Sequence, residues 1–177
     1  AGNNVGADHA LGKYLIFLNN DTYVQADWLY ELVSFLEREP MVAACQSKIV
    51  YAETETVQEL GYRLDRYGYS SPWVKPNHYQ NALVDKFFYV SGACFGIRRH
   101  LFMRCRGFDE RLFILQEDTD LSWRLRLLGF KLACLSSSVC YHFGGRSLMR
   151  LDIPTVRYYN VRNRLRVLLK NYALVSN

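Results

Sequence analysis

The order of apolar and polar residues along the chain predicts an α/β fold. Residues 14–18, YLIFL, form a continuous apolar run, which is typical of a strand covered on both faces. Asp27 precedes a segment in which apolar residues recur at helical spacing, and Pro40 lies just past its end, so we expect a helix there. Apolar runs at 42–44 and 48–51 predict two strands. Strand, helix and strand in this order favour a right-handed crossover onto a mostly parallel sheet.

The second half of the chain repeats these patterns. Apolar runs predict strands at 87–90, 131–135 and 139–143. A helix is expected before the last two strands, because three leucines share one helical face and Gly129 supplies a C-terminal stop. These leucines are Leu121, Leu125 and Leu128.

Two segments depart from the strand and helix patterns. Residues 53–86 interleave glycine and proline with tyrosine and tryptophan, so we expect a long irregular segment, which in a compact domain is usually functional or mobile. Residues 154–172 predict a basic amphipathic helix. The face expected to pack comprises Val161, Leu165, Leu168 and Tyr172, and the opposite basic stripe comprises Arg162, Arg166 and Lys170.

The length of 177 residues suits one domain with a real core, since such domains remove roughly two thirds of their unfolded surface from water. We expect this domain over 1–150, followed by the basic helix within 151–177. The chain does not begin with Met, and its first residues, with a short helix over 7–11 that Gly12 ends, look like the middle of a domain. We therefore expect that an upstream portion is missing.

The net charge of +5 at pH 7 is compatible with an anionic small molecule, a membrane surface or nucleic acid as a partner. No nucleic-acid motif accompanies this charge, so nucleic-acid binding is not expected. No apolar run reaches the roughly 20 residues that span a bilayer. The five cysteines show no CxxC spacing and mostly lie in apolar surroundings, which favours free thiols in a reducing compartment over disulfides or a zinc site.

A polar cluster, Asn19-Asn20-Asp21-Thr22, ends the first predicted strand. Open α/β sheets keep their ligands outside the carboxyl ends of the strands, where this cluster would lie. The four residues alone slightly favour a turn or helix-cap role for Asp21. The alternative is a hard oxygen ligand for a divalent cation.

Two further clusters carry possible chemistry. Glu117, Asp118 and Asp120 begin a predicted helix, where the helix dipole stabilises carboxylates, but three together repel one another. A functional carboxyl group with a raised pKa is therefore an equal alternative.

In HFGGRS, a lone histidine is more often structural. The neighbouring glycines and Arg146 allow close approach and binding of a phosphate group, which strengthens a ligand role for His142.

Six segments in this order resemble family 2 glycosyltransferases of GT-A fold, and most of all the rhamnosyltransferase-like branch that builds cell-surface polysaccharides. The resemblance extends from about Asn3 to Tyr172, and it implies a mixed, mainly parallel sheet flanked by helices. It also implies that 1–150 are the C-terminal two thirds of a catalytic domain whose base-binding portion lies upstream. The segments are NxG at Asn4 to Gly6, YLIFLNNDT, SGACFGIRR, GFDERLF, EDTDLSWRLRLLGF and HFGGRS.

The resemblance also implies site residues. Asp21 matches the metal motif of the family, with Asn19 replacing its first acidic residue, and would hold Mg²⁺ or Mn²⁺. His142 matches a histidine near the metal and the diphosphate, and Asp118 matches the general base. The other implied contacts are Asn4, Asn19, Asn20, Gly92 and Arg146 for the sugar donor, and Ser91, Ala93, Glu117 and Trp73 for the acceptor.

The reaction implied by the resemblance is inverting transfer of a sugar from a nucleoside-diphosphate sugar to a glycan or lipid-linked acceptor. A non-catalytic relative that binds a sugar nucleotide or carbohydrate is the alternative. The basic stripe of the last helix could meet anionic lipid or the diphosphate of a lipid-linked acceptor. We accordingly expect a cytoplasmic protein, with peripheral contact at the inner face of the cell membrane as a further expectation.

Overall fold

A computed structural model describes residues 2–73, 82–144 and 151–172. These ranges contain five α-helices, nine strands and one 3₁₀ turn at Glu110–Leu112. The helices are α1 Gly2–His9, α2 Trp28–Arg38, α3 Arg99–Arg104, α4 Glu117–Leu127 and α5 Ile153–Tyr172. The strands are β1 Tyr14–Leu18, β2 Thr22–Val24, β3 Val42–Tyr51, β4 Val57–Glu59, β5 Tyr62–Leu64, β6 Ser70–Pro72, β7 Leu83–Val84, β8 Cys94–Arg98 and β9 Lys131–His142.

Seven strands form one mixed sheet, in which β1, β8, β3, β9 and β2 follow one another, β4 pairs with β3, and β7 pairs with β9. Strands β3 and β9 pair in parallel, whereas β8 is antiparallel to both of its neighbours, β1 and β3. Strands β1, β3 and β9 therefore run in the same direction. The predicted strand, helix and strand unit is present as β1, α2 and β3, with β8 inserted between its two strands.

Helices cover both faces of this sheet. Helix α2 packs on one face through Leu32, Phe35 and Leu36, which are buried against residues of β3 and β9. Helices α3 and α4 pack on the other face, where Phe102 and Leu125 belong to the larger core cluster. Burial on both sides explains why the central strands have continuous apolar runs. A mixed α/β sheet flanked by helices confirms the predicted fold class.

Arg98, at the end of β8, ties α2 to this sheet. Its guanidinium group donates to the carbonyl oxygens of Leu36 and Glu39, at the C-terminus of α2, and to that of Val42 at 2.9 Å. The last carbonyl groups of a helix have no partner within the helix. Arg98 supplies these partners from within the core, since only 9% of its surface is exposed.

Strand boundaries differ from the predictions where buried polar residues interrupt an apolar run. Strand β3 is continuous through Gln46 and Ser47, and β9 is continuous through Ser138, so each replaces two predicted strands. The two polar breaks lie beside each other, and the hydroxyl groups of Ser47 and Ser138 are 2.8 Å apart. Because each of these two hydroxyl groups provides the other with a hydrogen-bond partner, neither polar interruption ends its strand.

Three other predicted boundaries are wrong. Residues 87–90 make only an isolated bridge between Tyr89 and Tyr62, and the strand of this region is β8. Helix α1 begins and ends earlier than the predicted 7–11 helix. The segment predicted to be irregular contains β4 to β7, of which β5 and β6 form a separate two-stranded sheet.

Helix α5 confirms a predicted helix, but among the described residues only Leu168 and Tyr172 of the predicted packing face contact the domain. Its buried residues are Asn163, Val167 and Asn171, whereas Leu165 is about half exposed. Of the predicted basic stripe, Arg162 and Arg166 donate to main-chain carbonyls at 111–112, and Lys170 bonds to Asp109 and Asp120. The stripe therefore contacts the domain, and its contact with anionic lipid or with the diphosphate of a lipid-linked acceptor stays a prediction. No helix in the described ranges is long and apolar enough to cross a membrane.

Candidate active site

Residues 19–22 form a tight turn between β1 and β2. The Thr22 hydroxyl donates to the Asn19 carbonyl at 2.6 Å, and the Asn19 amide donates to the Ala93 carbonyl at 2.9 Å. Asn20 is exposed on this turn. The sequence offered a turn role and a metal-ligand role for Asp21, and the two are compatible. Thr22 and Asn19 make the turn, while the Asp21 side chain points inward.

Asp21 and His142 meet at the carboxyl end of the sheet. Thr22 pairs with His142 across β2 and β9, which brings His142 Nε2 within 3.4 Å of Asp21 Oδ1. About a tenth of each side chain is exposed. The other ring nitrogen, Nδ1, lies 3.1 Å from Gln58 Oε1. A cavity of about 350 Å³ opens beside His142, lined also by Tyr51 and Glu53.

These two side chains fit a divalent cation. Asp21 Oδ1 is buried and has no hydrogen-bond partner among the described residues, and it faces the imidazole nitrogen. A carboxylate oxygen and an imidazole nitrogen are both ligands for Mn²⁺, and Mg²⁺ takes one or two carboxylates plus phosphate oxygens. The described part of the chain has no group of three or more histidine, cysteine or acidic residues that could hold a metal. Any ion here would therefore need further ligands, such as water or substrate oxygens.

The segment Ser91-Gly92-Ala93 joins this corner to the start of α4. The Gly92 amide donates to Asp118 Oδ2 at 3.1 Å, while the next residue, Ala93, accepts the Asn19 amide. A β-carbon built on Gly92 would lie 3.5 Å from the same Asp118 oxygen. A single short segment thus places the two predicted polar clusters at the same end of the sheet.

Asp118 and Glu117 are the ionisable pair at the beginning of α4. Burial raises the pKa of Asp118, although the Gly92 and Thr119 amides stabilise its charged form. Burial, followed by the charge of Asp118, raises the pKa of Glu117 to about 7. Glu117 Oε2 is buried without a hydrogen-bond partner among the described residues. Glu117 can therefore hold and release a proton near neutral pH, next to an Asp118 carboxyl whose pKa is also raised.

Glu59, at the end of β4, is a fourth acidic residue of this site, and the sequence did not identify it. It is 1% exposed, and neither carboxylate oxygen has a hydrogen-bond partner of good geometry among the described residues. Burial raises its pKa to about 7, the hydroxyls of Ser91 and Tyr62 lower it, and Asp118 raises it further. Its local sequence, VQELG, contains no signal for this environment.

Four other predicted site residues have different positions. Asn4 is a structural residue, because its side chain bonds to both the amide and the carbonyl of Phe108 at 2.9 Å. Trp73 is 6% exposed and belongs to the main core, so its ring is not available to stack on an acceptor sugar. Ser91 and Ala93 are also buried, and they contribute to the site through their main chain and the Ser91 hydroxyl. The predicted donor contact of Arg146 lies outside the described residues.

Comparison with known proteins gives a family and a fold. The family model for "glycosyltransferase like family 2" matches residues 1–174. The chain is 33% identical over 171 residues to O-antigen biosynthesis protein RfbC of Myxococcus xanthus, in a match that covers 89% of this chain and 13% of that protein. The chain therefore spans only about an eighth of the length of this relative.

Two solved structures share the fold. A crystal structure of GalNAc-T7 with UDP, GalNAc and Mn²⁺ matches with a TM-score of 0.68 and 20% identity, over 93% of this chain and 33% of that one. The mannosyltransferase PcManGT of Pyrobaculum calidifontis, in complex with GDP-Man and Mn²⁺, matches with a TM-score of 0.51 and 17% identity, over 78% of this chain and 34% of that one. Fold, motif order and the match over 1–174 agree, and the chain belongs to the glycosyltransferase-like family 2.

Proposed function

We propose that this chain carries the catalytic centre of an inverting glycosyltransferase, which moves a sugar from a nucleoside-diphosphate sugar to a hydroxyl group of a glycan or lipid-linked acceptor. The observation that supports this most is the junction at 91–93, where Asp118 bonds to Gly92 and the turn that carries Asp21 bonds to Ala93. The proposed proton acceptor and the proposed metal ligands would therefore act at the same end of the sheet.

Asp118 is the proposed general base. As the acceptor oxygen bonds to the anomeric carbon, the bond from that carbon to the diphosphate oxygen breaks, and the hydroxyl proton passes to the Asp118 carboxylate. The Gly92 and Thr119 amides hold this carboxylate in place at 3.1 and 2.7 Å. The raised pKa of Asp118 suits this role, because a stronger base accepts the proton more readily.

Asp21 and His142 would hold Mg²⁺ or Mn²⁺. Bound there, the cation would neutralise charge on the departing diphosphate. The two structures of similar fold each contain Mn²⁺ with a nucleotide or nucleotide sugar, which supports this assignment. The similarity to RfbC supports a role in the synthesis of cell-surface polysaccharide.

The test uses the full-length protein and a screen of UDP-, GDP- and dTDP-sugars, with release of nucleoside diphosphate as the signal. For Asp118→Asn, which keeps the shape but cannot take up the proton, we expect a loss of about 100-fold or more in kcat. Binding of the nucleoside diphosphate with Mn²⁺ should be retained. Normal turnover by this variant would contradict the base assignment, and nucleotide binding without turnover by the unaltered protein would indicate a non-catalytic relative.

A further inference from the structure

A loop of unusual backbone conformation leads directly into Glu117 and Asp118 at the start of α4. Phe113, Leu115 and Gln116 all have positive φ angles, of 64°, 68° and 72°, although none of them is glycine. Left-handed conformations are unfavourable for residues with a β-carbon, so surrounding contacts must hold them. Helix α4 begins at the next residue, Glu117. The direction of its first turn, and therefore the position of Asp118, depends on this 112–116 loop.

The loop is held by one side chain from a distant part of the sequence. Asn163 of α5 is fully buried, and its amide nitrogen lies 2.7 Å from the Leu112 carbonyl, 2.7 Å from that of Ile114 and 2.9 Å from that of Leu115. The amide oxygen of Asn163 accepts from Arg162 Nε at 2.9 Å. Both ends of the side chain are therefore used, and the two N–H groups of the nitrogen are shared among three carbonyl oxygens of the loop.

The beginning of α4 lacks a side-chain cap of its own. Gln116, at the N-cap position, makes no capping hydrogen bond, and its carbonyl accepts from the Asp120 amide at 2.9 Å. The main chain connects the carbonyls that bond to Asn163 directly to Gln116 and then to Asp118. The position of Asp118 therefore depends on the conformation of the loop. A displacement of about 1 Å at a catalytic group can cost roughly 100-fold in rate, so this support matters for chemistry.

We infer that Asn163 is a positioning residue for the transfer reaction, which fixes the left-handed 112–116 loop and thereby sets Asp118 against Gly92. This inference rests on the proposed role of Asp118 as general base. It makes α5 part of the catalytic unit, although no side chain of this helix is required to touch the substrate.

The chain offers a matched control in Asn171. This residue lies two helical turns further along α5, is also fully buried, and bonds to Asp120 Oδ1 and to the Val167 carbonyl, both at 3.1 Å. Asn171→Ala therefore removes a buried amide from the same helix without releasing the loop. A general loosening of α5 would affect the two variants equally, whereas loss of the loop contacts would affect only Asn163→Ala.

The first measurement is hydrogen exchange of the Gly92 amide, which donates to Asp118 Oδ2. We expect faster exchange at Gly92 in Asn163→Ala, because Asp118 moves away, and unchanged exchange in Asn171→Ala. This measurement needs no substrate, so its result stands even if the proposed function fails. Unchanged exchange in both variants, or an equal increase in both, would overturn the inference.

The second measurement is steady-state nucleoside diphosphate release by the full-length protein. We expect Asn163→Ala to lose about tenfold or more in kcat with little change in donor KM, and Asn171→Ala to keep most of its kcat at a similar drop in Tm. Adding Gln116→Gly to Asn163→Ala should restore part of the lost rate, because glycine adopts a φ of 72° without strain. If Asp118→Asn is inactive while Asn163→Ala turns over normally, this inference alone is wrong. If Asp118→Asn is active, the base assignment on which this inference rests is wrong, and if the unaltered protein shows no turnover, the proposed function is wrong.

Discussion

Replacing Glu59 by glutamine tests whether this buried carboxyl group destabilises the fold as it ionises with rising pH. The side chain is 1% exposed, and its two oxygens have no hydrogen-bond partner among the described residues. Glutamine has nearly the same shape but cannot ionise. The substitution therefore removes the charge from the site while leaving the packing around Ser91 and Tyr62 in place.

The size and sign of the effect follow from the pKa of Glu59, which burial raises from an ordinary 4.5 to about 7. Between these two values the folded protein binds more protons at this position than the unfolded chain does, so its stability falls as pH rises. The ionised form then costs up to about 3 kcal/mol above pH 7, at 1.36 kcal/mol for each pKa unit. Below pH 4.5 the cost is absent, because the carboxyl group is protonated in both states.

We expect Glu59→Gln to be more stable than the parent protein at pH 8 by up to about 3 kcal/mol, and at pH 5 by less than about 1 kcal/mol. For a chain of this size the gain corresponds to roughly 6–10 °C in Tm, or about 1.5 M in the urea midpoint. The assay is urea and thermal unfolding at pH 5, 6, 7 and 8, with the exposed Glu53→Gln as the control. A stability difference that is the same at pH 5 and pH 8, or a loss of stability at pH 8, would refute the reasoning.

Two further substitutions test the metal corner and the cap of α2. Asp21→Ala should abolish Mn²⁺-dependent binding of nucleoside diphosphate, since the carboxylate that faces the His142 imidazole is removed; an unchanged titration with Mn²⁺ would contradict the metal assignment. Arg98→Met should lower the free energy of unfolding by about 3 kcal/mol, because the carbonyls of Leu36 and Val42 lose their guanidinium donor and that of Glu39 keeps only the Val42 amide. Chemical denaturation at neutral pH measures this loss, and a change below about 1 kcal/mol would show that the carbonyls find other partners.

The sheet could be predicted from the sequence because its central strands are buried on both faces. Continuous apolar runs at 14–18 and 42–44 have few alternatives to a covered strand. The interruptions at Gln46–Ser47 and Ser136–Ser138 were predicted as breaks, because local patterns do not show that Ser47 and Ser138 bond to each other across neighbouring strands. The pairing of β3 with β9, which are far apart in the sequence, therefore determines where these two strands end.

The site was predicted in part for a related reason. Asp21 and Asp118 each follow a local signal, a polar end to a strand and an acidic start to a helix. Glu59 has no such signal, since its environment depends on Tyr62, Ser91 and Asp118 after folding. The packing face of α5 could not be predicted from the sequence either, because leucines and asparagines both recur at helical spacing along this helix. The buried asparagines were selected by carbonyl and carboxylate partners about 50 residues away in the chain.

The distribution of unsatisfied carboxylates connects stability to the proposed reaction. In the ranges that the structure describes, three acidic side chains have a buried oxygen without a hydrogen-bond partner, namely Asp21, Glu59 and Glu117. Each is linked to the 91–93 segment: Asp21 through the turn held by Ala93, Glu59 beside Ser91, and Glu117 next to the partner of Gly92. Buried polar groups normally have partners, because each unsatisfied one costs about 1–3 kcal/mol. Three such groups around one short segment are costly for a fold alone, and that cost is expected where a cation and the hydroxyl groups of a sugar supply the missing partners.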